Sequence, residues 1–140
     1  MRTSLGRALT FKAHLLWISL TLSPLACSTP FTEREQRELL SDPVAQEAGE
    51  LTLAWMRERV ELMVRNKGTC ALMAEALLKD DQESEALRAS WREARAQEWL
   101  IARAAQDPDF QRELSALITK GDLVFSFCAF FEDFRRRLNP

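Results

Sequence analysis

The stretch LVFSFCAFF, residues 123–131, decides the fold class of this chain. Its density of aromatic residues is typical of a buried strand. Apolar residues in and after it nevertheless recur at steps of four, three, four and four, the spacing of one helix face. They are Leu123, Phe127, Phe130, Phe134 and Leu138. Because no second segment has strand character to pair with it, we predict a helix over 123–138 at the centre of a helical bundle.

The segments before this stretch begin with helix-capping residues. Thr32 and Glu35 have capping-box spacing, which predicts a short helix over 33–40. Asp42 precedes a proline, and an N-cap residue followed by proline is a typical helix start. The second helix is therefore predicted from Pro43 to about residue 66, before a glycine.

Two further boundaries fall where the apolar pattern is interrupted. A third helix, capped by Thr69, loses its pattern in the polar run 79–85, where we predict a short break before a helix over 84–106. Asp107 and Pro108 repeat the capping signal, and that helix is predicted to stop at Gly121. The predicted architecture is all-α: a small helical bundle of about four main helices plus one or two short ones.

The N-terminal 28 residues have the order of a secretory leader. Three cations, ending at Lys12, precede an apolar stretch over 15–22, and small residues surround Cys27. This order is typical of a signal peptide with a processing site. The segment Pro24-Leu25-Ala26-Cys27 resembles the lipobox of bacterial lipoprotein precursors, in which the cysteine is acylated and the chain is cut before it.

The resemblance implies a protein held at the cell envelope by lipid on Cys27, with Ser28 resembling an outer-membrane sorting signal. We expect residues 1–26 to be a signal peptide, 27–41 a tether with a short helix, and 42–140 the bundle domain. Two alternatives stay open: ordinary signal-peptidase cleavage, giving a soluble periplasmic or secreted protein, and an uncut anchor.

Removal of the leader changes the chemistry available to the domain. His14, the single histidine of the chain, leaves with it, and 16 of the 19 basic residues remain against 21 acidic ones. A mildly acidic domain argues against nucleic-acid binding. Without an imidazole, Ser-His-Asp and Cys-His sites and histidine-based metal sites are excluded. We therefore predict no cofactor, no metal and no catalytic residue.

Two cysteines remain in the domain whichever way the leader is processed. Cys70 and Cys128 are far apart and lie on apolar faces. In an oxidising envelope this pattern predicts a structural disulfide, with two reduced core cysteines as the alternative. There is no Cys-x-x-Cys spacing, so a redox-active pair is disfavoured.

Aromatic side chains are the candidates for a binding surface. Five phenylalanines within ten residues cannot all face one narrow core, and three tryptophans at helical spacing either fill the core or line an apolar pocket. We expect Phe125 to point away from the main stripe. The candidate residues are Trp55, Trp91, Trp99, Phe125, Phe127, Phe130, Phe131 and Phe134.

The charged clusters have simpler interpretations. Glu93 and Glu98, among neighbouring arginines, are expected on a solvated helix face, although they are the carboxylates an enzyme would use. The acidic residues of 80–85 lack the spacing of a calcium loop and are interpreted as an exposed loop. The cations of 135–137 are expected at a helix end, with anionic lipid contact as the alternative.

These observations favour a non-enzymatic, envelope-anchored protein whose helical domain binds another envelope component, as an accessory, inhibitor or immunity-type protein. The alternative is a carrier that holds a lipid or other apolar molecule in an aromatic-lined pocket. A large cavity would favour the carrier. Exposed phenylalanines on a filled core would favour the partner-binding protein.

Overall fold

The computed structural model describes residues 30–139, which form six helices and no strand. This confirms the all-α prediction. The leader and Cys27 lie outside the described residues. The helices are α1 (Glu33–Ser41), α2 (Pro43–Arg65), α3 (Cys70–Glu93), α4 (Ala96–Gln106), α5 (Pro108–Ala129) and α6 (Glu132–Leu138).

Three of the predicted helix starts are confirmed with their side-chain caps, whereas Thr69 precedes α3 without a capping hydrogen bond from its side chain. Thr32 and Glu35 form the full capping box, with the Thr32 backbone N–H donating to a Glu35 carboxylate oxygen at 2.7 Å. The Asp42 side chain accepts from the backbone N–H of Val44 at 2.9 Å. The Asp107 side chain accepts in the same way at the start of α5. Each cap satisfies N–H groups that have no partner within the helix.

The predicted break at 79–85 is wrong. α3 continues through this run, and the chain turns instead at Ala94 and Arg95, where Arg95 has a left-handed φ of 61°. Asp80 and Asp81 are not in an exposed loop, because both side chains are about four-fifths buried and are paired with Arg59 of α2. A partner on another helix therefore keeps the polar run helical.

The predicted stop at Gly121 is also wrong. α5 passes through Gly121 and Asp122 without interruption and ends at Ala129. A Cβ atom at position 121 would lie 3.1 Å from Cγ2 of Val60, so the glycine allows α5 to approach α2 closely. It acts as a packing residue, and Asp122 lies within the helix rather than at its cap.

The continuous α5 buries a different face from the one predicted. Its buried positions follow one helical stripe from the start of the helix: Phe110, Leu114, Ile118, Gly121 and Cys128. Leu123, Phe127 and Phe130 of the predicted stripe are exposed, whereas Phe134 on α6 is buried. The central helix is α2, which packs against α3, α4 and α5.

The core has two parts. One, called here the Trp99 cluster, lies where α1, α4 and the first halves of α2 and α5 meet. Its buried members are Ala45, Leu53, Trp99, Leu100, Ala104, Phe110, Leu114 and Ile118. The other, called the disulfide cluster, lies where α6 and the start of α3 meet the second halves of α2 and α5. Its buried members are Val60, Met63, Met73, Ala74, Leu77, Cys128 and Phe134.

Cys70 and Cys128 form a disulfide, as the sequence predicts, with Cα atoms 5.3 Å apart. The bond joins the start of α3 to the end of α5 and closes a loop of 58 residues. Within 30–139 no single helix has the length and hydropathy of a membrane span. The pair α5 and α6 passes that test together, but its axes are bent by 111°.

Candidate functional site

A cleft of about 600 Å³ opens between α2, α3 and α5, near the start of α4. Its floor is apolar and is formed by Leu78 together with side chains that belong to the two core clusters or pack against them: Met56, Val60, Met63, Leu77, Leu117, Ile118 and Phe125. Two of these are methionines, whose unbranched side chains adapt to ligands of different shape. The cleft therefore offers an apolar surface that no side chain of residues 30–139 fills.

Two half-buried tryptophans form one wall of the cleft. The ring centroids of Trp55 on α2 and Trp91 on α3 are 6.4 Å apart, with a tilt of 57° between the rings. The guanidinium carbons of Arg59 and Arg88 lie 5.3 Å and 5.4 Å from the Trp55 ring centroid, within cation–π range. The wall therefore consists of two aromatic rings, and two arginine side chains hold the Trp55 ring in place.

A network of ion pairs fixes these two arginines. Arg59 pairs with Asp80, and its Nη1 lies 3.0 Å from Oδ1 of Asp81. Arg88 Nη2 donates to the Asp81 carbonyl oxygen at 3.1 Å, and Arg88 Nε donates to Ser84 Oγ at 3.1 Å. All four charged side chains are about four-fifths buried. Partial burial weakens solvent screening, so this network holds the rim of the cleft more firmly than surface pairs would.

The polar lining residues are concentrated toward the end of α3. In α3 the lining begins with Leu77 and Leu78, continues through Asp81, and ends at Arg88, Trp91 and Arg92. The cleft thus has an apolar end beside the disulfide cluster and a polar end beside the turn at Arg95. An arrangement of this kind suits a ligand that is itself amphipathic.

A second feature is an exposed apolar surface at the turn between α5 and α6, called here the phenylalanine face. Its members are exposed to the following fractions: Leu123 62%, Phe127 68%, Phe130 84% and Phe131 59%. α5 ends at Ala129 and α6 begins at Glu132, so the two residues of the turn are Phe130 and Phe131. Four large apolar side chains exposed together differ from the scattered exposure that is normal on protein surfaces.

The cations after this face are largely paired. Arg136 pairs with Glu132, and Arg137 pairs with Asp133 on the same helix and with Glu75 of α3. The 135–137 segment lies at the end of α6, as predicted, where positive charge interacts favourably with the helix dipole. Acidic neighbours largely neutralise it.

The eight predicted aromatic residues thus lie in three places. Trp55, Trp91 and Phe125 line the cleft, and Phe127, Phe130 and Phe131 belong to the phenylalanine face. Trp99 and Phe134 are buried, one in each core cluster. Phe125 lies off the face formed by Leu123, Phe127 and Phe130, as predicted, but that face is the exposed one. Phe125 itself is half-buried, with its ring centroid 5.4 Å from that of Phe134.

The predicted carboxylate candidates do not form a site. Glu93 is exposed, and Glu98 makes a solvated pair with Arg95 at 3.8 Å. Between residues 30 and 139 no group of three or more histidine, cysteine or acidic side chains has the geometry to hold a metal ion.

Sequence reasoning missed the charged rim of the cleft. Arg59 follows Trp55 by four residues, and Arg88 precedes Trp91 by three. Residues at these spacings lie on the same helix face, so the pairing of arginine with tryptophan was visible. Only the tertiary fold places the arginine–tryptophan pair of α2 opposite the pair of α3.

The start of the described chain lies near the polar end of the cleft. The pKa of Glu35 is lowered, chiefly by the Thr32 backbone N–H, then by its hydroxyl, and further by the positive charge of Arg95. α1 also packs along α4, which begins immediately after Arg95. The chain therefore enters the fold at the turn between α3 and α4.

The comparisons with known proteins found no relative: no family model, curated protein or solved structure matches this chain significantly.

Proposed function

We propose that this protein is a non-enzymatic, envelope-anchored protein that binds a protein partner through the phenylalanine face. The observation that supports this proposal is the exposure of four large apolar side chains near one turn, whereas every other aromatic side chain of residues 30–139 is buried or half-buried. Buried aromatic side chains supply much of the binding energy of protein interfaces. A partner with an apolar groove would remove these rings from water.

Charge supports a protein partner rather than an anionic membrane. Helical segments that lie on membranes combine apolar residues with unpaired lysines and arginines. Beside the phenylalanine face, Arg136 and Arg137 are instead paired with three carboxylates. Little positive charge is left to attract anionic headgroups.

The position of the phenylalanine face in the fold also supports a protein partner rather than a membrane. The phenylalanine face adjoins the disulfide at the start of α3, whereas α1 packs on α4, the helix that follows the end of α3. α3 has 24 residues, so at 1.5 Å per residue it is about 36 Å long. Thr32 is five positions after Cys27 in the chain, a reach of at most about 18 Å. A lipid on Cys27 would hold the near end of the domain and leave the phenylalanine face distant from the bilayer.

The partner proposal is tested with a photo-crosslinking amino acid placed at position 130 and, as a matched control, at the exposed position of Leu87 on α3. Because Phe130 lies at the tip of the face, the full chain in its native envelope should give one discrete protein adduct from position 130 and none from 87. Phe127→Ser should remove that adduct while leaving the melting temperature unchanged, since Phe127 is already exposed. Adducts with lipid alone, or the same adduct from both positions, would contradict the proposal.

A second arm of this experiment tests the anchor. Cys27→Ser should abolish acyl labelling and release the protein from the membrane fraction, because each buried CH₂ of an acyl chain contributes about 0.8 kcal/mol to membrane binding. The adduct from position 130 should persist, since the face itself is intact. Unchanged membrane association of the variant would refute lipid anchoring but not partner binding.

A further inference from the structure

We propose that the cleft binds a long-chain amphiphile with an anionic head, of the fatty-acid class, with its head near Arg92 and its chain toward the disulfide cluster. This site is separate from the phenylalanine face, so it does not depend on the proposed partner. The proposal rests on the size of the cleft, the order of its lining residues and the charge at its polar end.

The size of the cleft fits one acyl chain. A volume of about 600 Å³ is within the range of sites that enclose small ligands, about 300–1,000 Å³. Its lining runs along α3 from Leu77 to Arg92, a distance of about 22 Å at 1.5 Å per residue. The cleft is thus long enough for an extended chain with its head at the rim.

The order of the lining residues gives the site a direction. The end beside the disulfide cluster is lined by Met63, Leu77 and Phe125, which have no charged atoms. An acyl chain bound against these side chains would bury apolar surface of the chain and of the protein. Each Å² of apolar surface removed from water stabilises the complex by about 25 cal/mol. An uncharged, unbranched chain is favoured there, and a polar group would lose its hydrogen bonds to water.

The polar end carries the cation that selects the head. Arg59 and Arg88 are engaged by Asp80 and Asp81, and the exposed carboxylate of Glu85 lines the cleft two helical turns before Arg92. Arg92 lines the same end of the cleft, is exposed, and makes no salt bridge among residues 30–139. Its guanidinium is therefore available for a carboxylate, which it can bind with two parallel hydrogen bonds.

The test uses dibromostearate, whose bromine atoms quench tryptophan fluorescence on contact. Titrated into the full chain, it should quench the emission of Trp55 and Trp91 in a saturable way, whereas the corresponding dibromostearyl alcohol should bind about fivefold more weakly. Arg92→Gln should weaken binding of the acid about fivefold, the effect of one exposed ion pair. The variant should bind the alcohol as the unaltered chain does.

Two controls keep the result interpretable. Arg112→Gln removes an arginine that pairs only with Asp109 outside the cleft, and it should leave both affinities unchanged. Leu78→Phe narrows the cleft and should weaken binding of acid and alcohol at least tenfold, whereas Leu72→Phe, at an exposed position of the same helix, should not. Equal affinities for acid and alcohol, equal effects of the two arginine variants, or quenching that does not saturate would each overturn the proposal.

Discussion

The two ends of this bundle are stabilised in different ways, although α2 and α5 run through both. The Trp99 cluster is held by close packing: Trp99 is 3% exposed and lies against Gly49, with Arg103 5.4 Å from its ring centroid. The disulfide cluster also buries apolar residues, but it is cross-linked and has the phenylalanine face on its outer side. An end of the bundle that leaves aromatic side chains in water therefore needs another source of stability.

The disulfide between Cys70 and Cys128 supplies this additional stability. Phe127, Phe130 and Phe131 would each add to the core if they were buried, and as exposed residues they add little. The disulfide instead limits the conformations of the unfolded chain. The exposed surface remains free for binding, and the fold at that end does not depend on it.

The largest expected effect comes from removing the cross-link. Replacing Cys70 and Cys128 together by alanine should lower the free energy of unfolding by about 4 kcal/mol, the loop entropy for 58 residues. Guanidinium unfolding measures this loss. Hydrogen exchange should show early loss of protection in α6 and at the start of α3, while α4 stays protected. A uniform loss along the chain would remove the distinction between the two ends.

A smaller effect tests the packed end. A Cβ atom at Gly49 would lie 2.3 Å from Cε3 of Trp99, so Gly49→Ala should cost about 1–3 kcal/mol despite the better helix propensity of alanine. Gly68→Ala is the matched control, because no atom outside its immediate neighbours lies within 4 Å of the new methyl group. Thermal unfolding compares the two variants. Similar melting temperatures would mean that Trp99 is not closely packed.

The smallest effect is electrostatic and belongs to the disulfide end. Burial raises the pKa of Asp122, so the folded protein holds a proton there more tightly than the unfolded chain, and the ionised carboxylate destabilises the fold near neutral pH. Asp122→Asn should raise the free energy of unfolding by up to about 0.5 kcal/mol at pH 7. This gain should shrink as the pH falls through the folded pKa and vanish below the ordinary value of 3.8.

The matched control for this pH dependence is Glu58→Gln, at an exposed position of α2. Its effect on the free energy of unfolding at pH 7 should be small. If Asp122→Asn raised the free energy of unfolding no more than Glu58→Gln does, the Asp122 carboxylate would not be desolvated in the fold.

The parts of the candidate site differ in how far the sequence predicted them. An apolar pocket lined by Trp55 and Trp91 was one of two interpretations, because helical spacing places the rings on faces but does not say whether a neighbour fills the space between them. For the same reason, the sequence does not decide whether Phe127 and Phe130 are exposed. The charged rim of Arg59 and Arg88 was missed, since its pairing joins α2 to α3.

Local sequence patterns predict the helical class, the starts of α1, α2 and α5, and the pairing of Cys70 with Cys128. Capping and periodicity act over three or four residues, and residues 30–139 contain only two cysteines. The tertiary structure alone decided where α3 and α5 end and which face of 123–131 is buried. A polar run stays helical when Arg59 pairs with it, and a glycine continues a helix when Val60 packs against it. Those partners lie on other helices, beyond the range of any local rule.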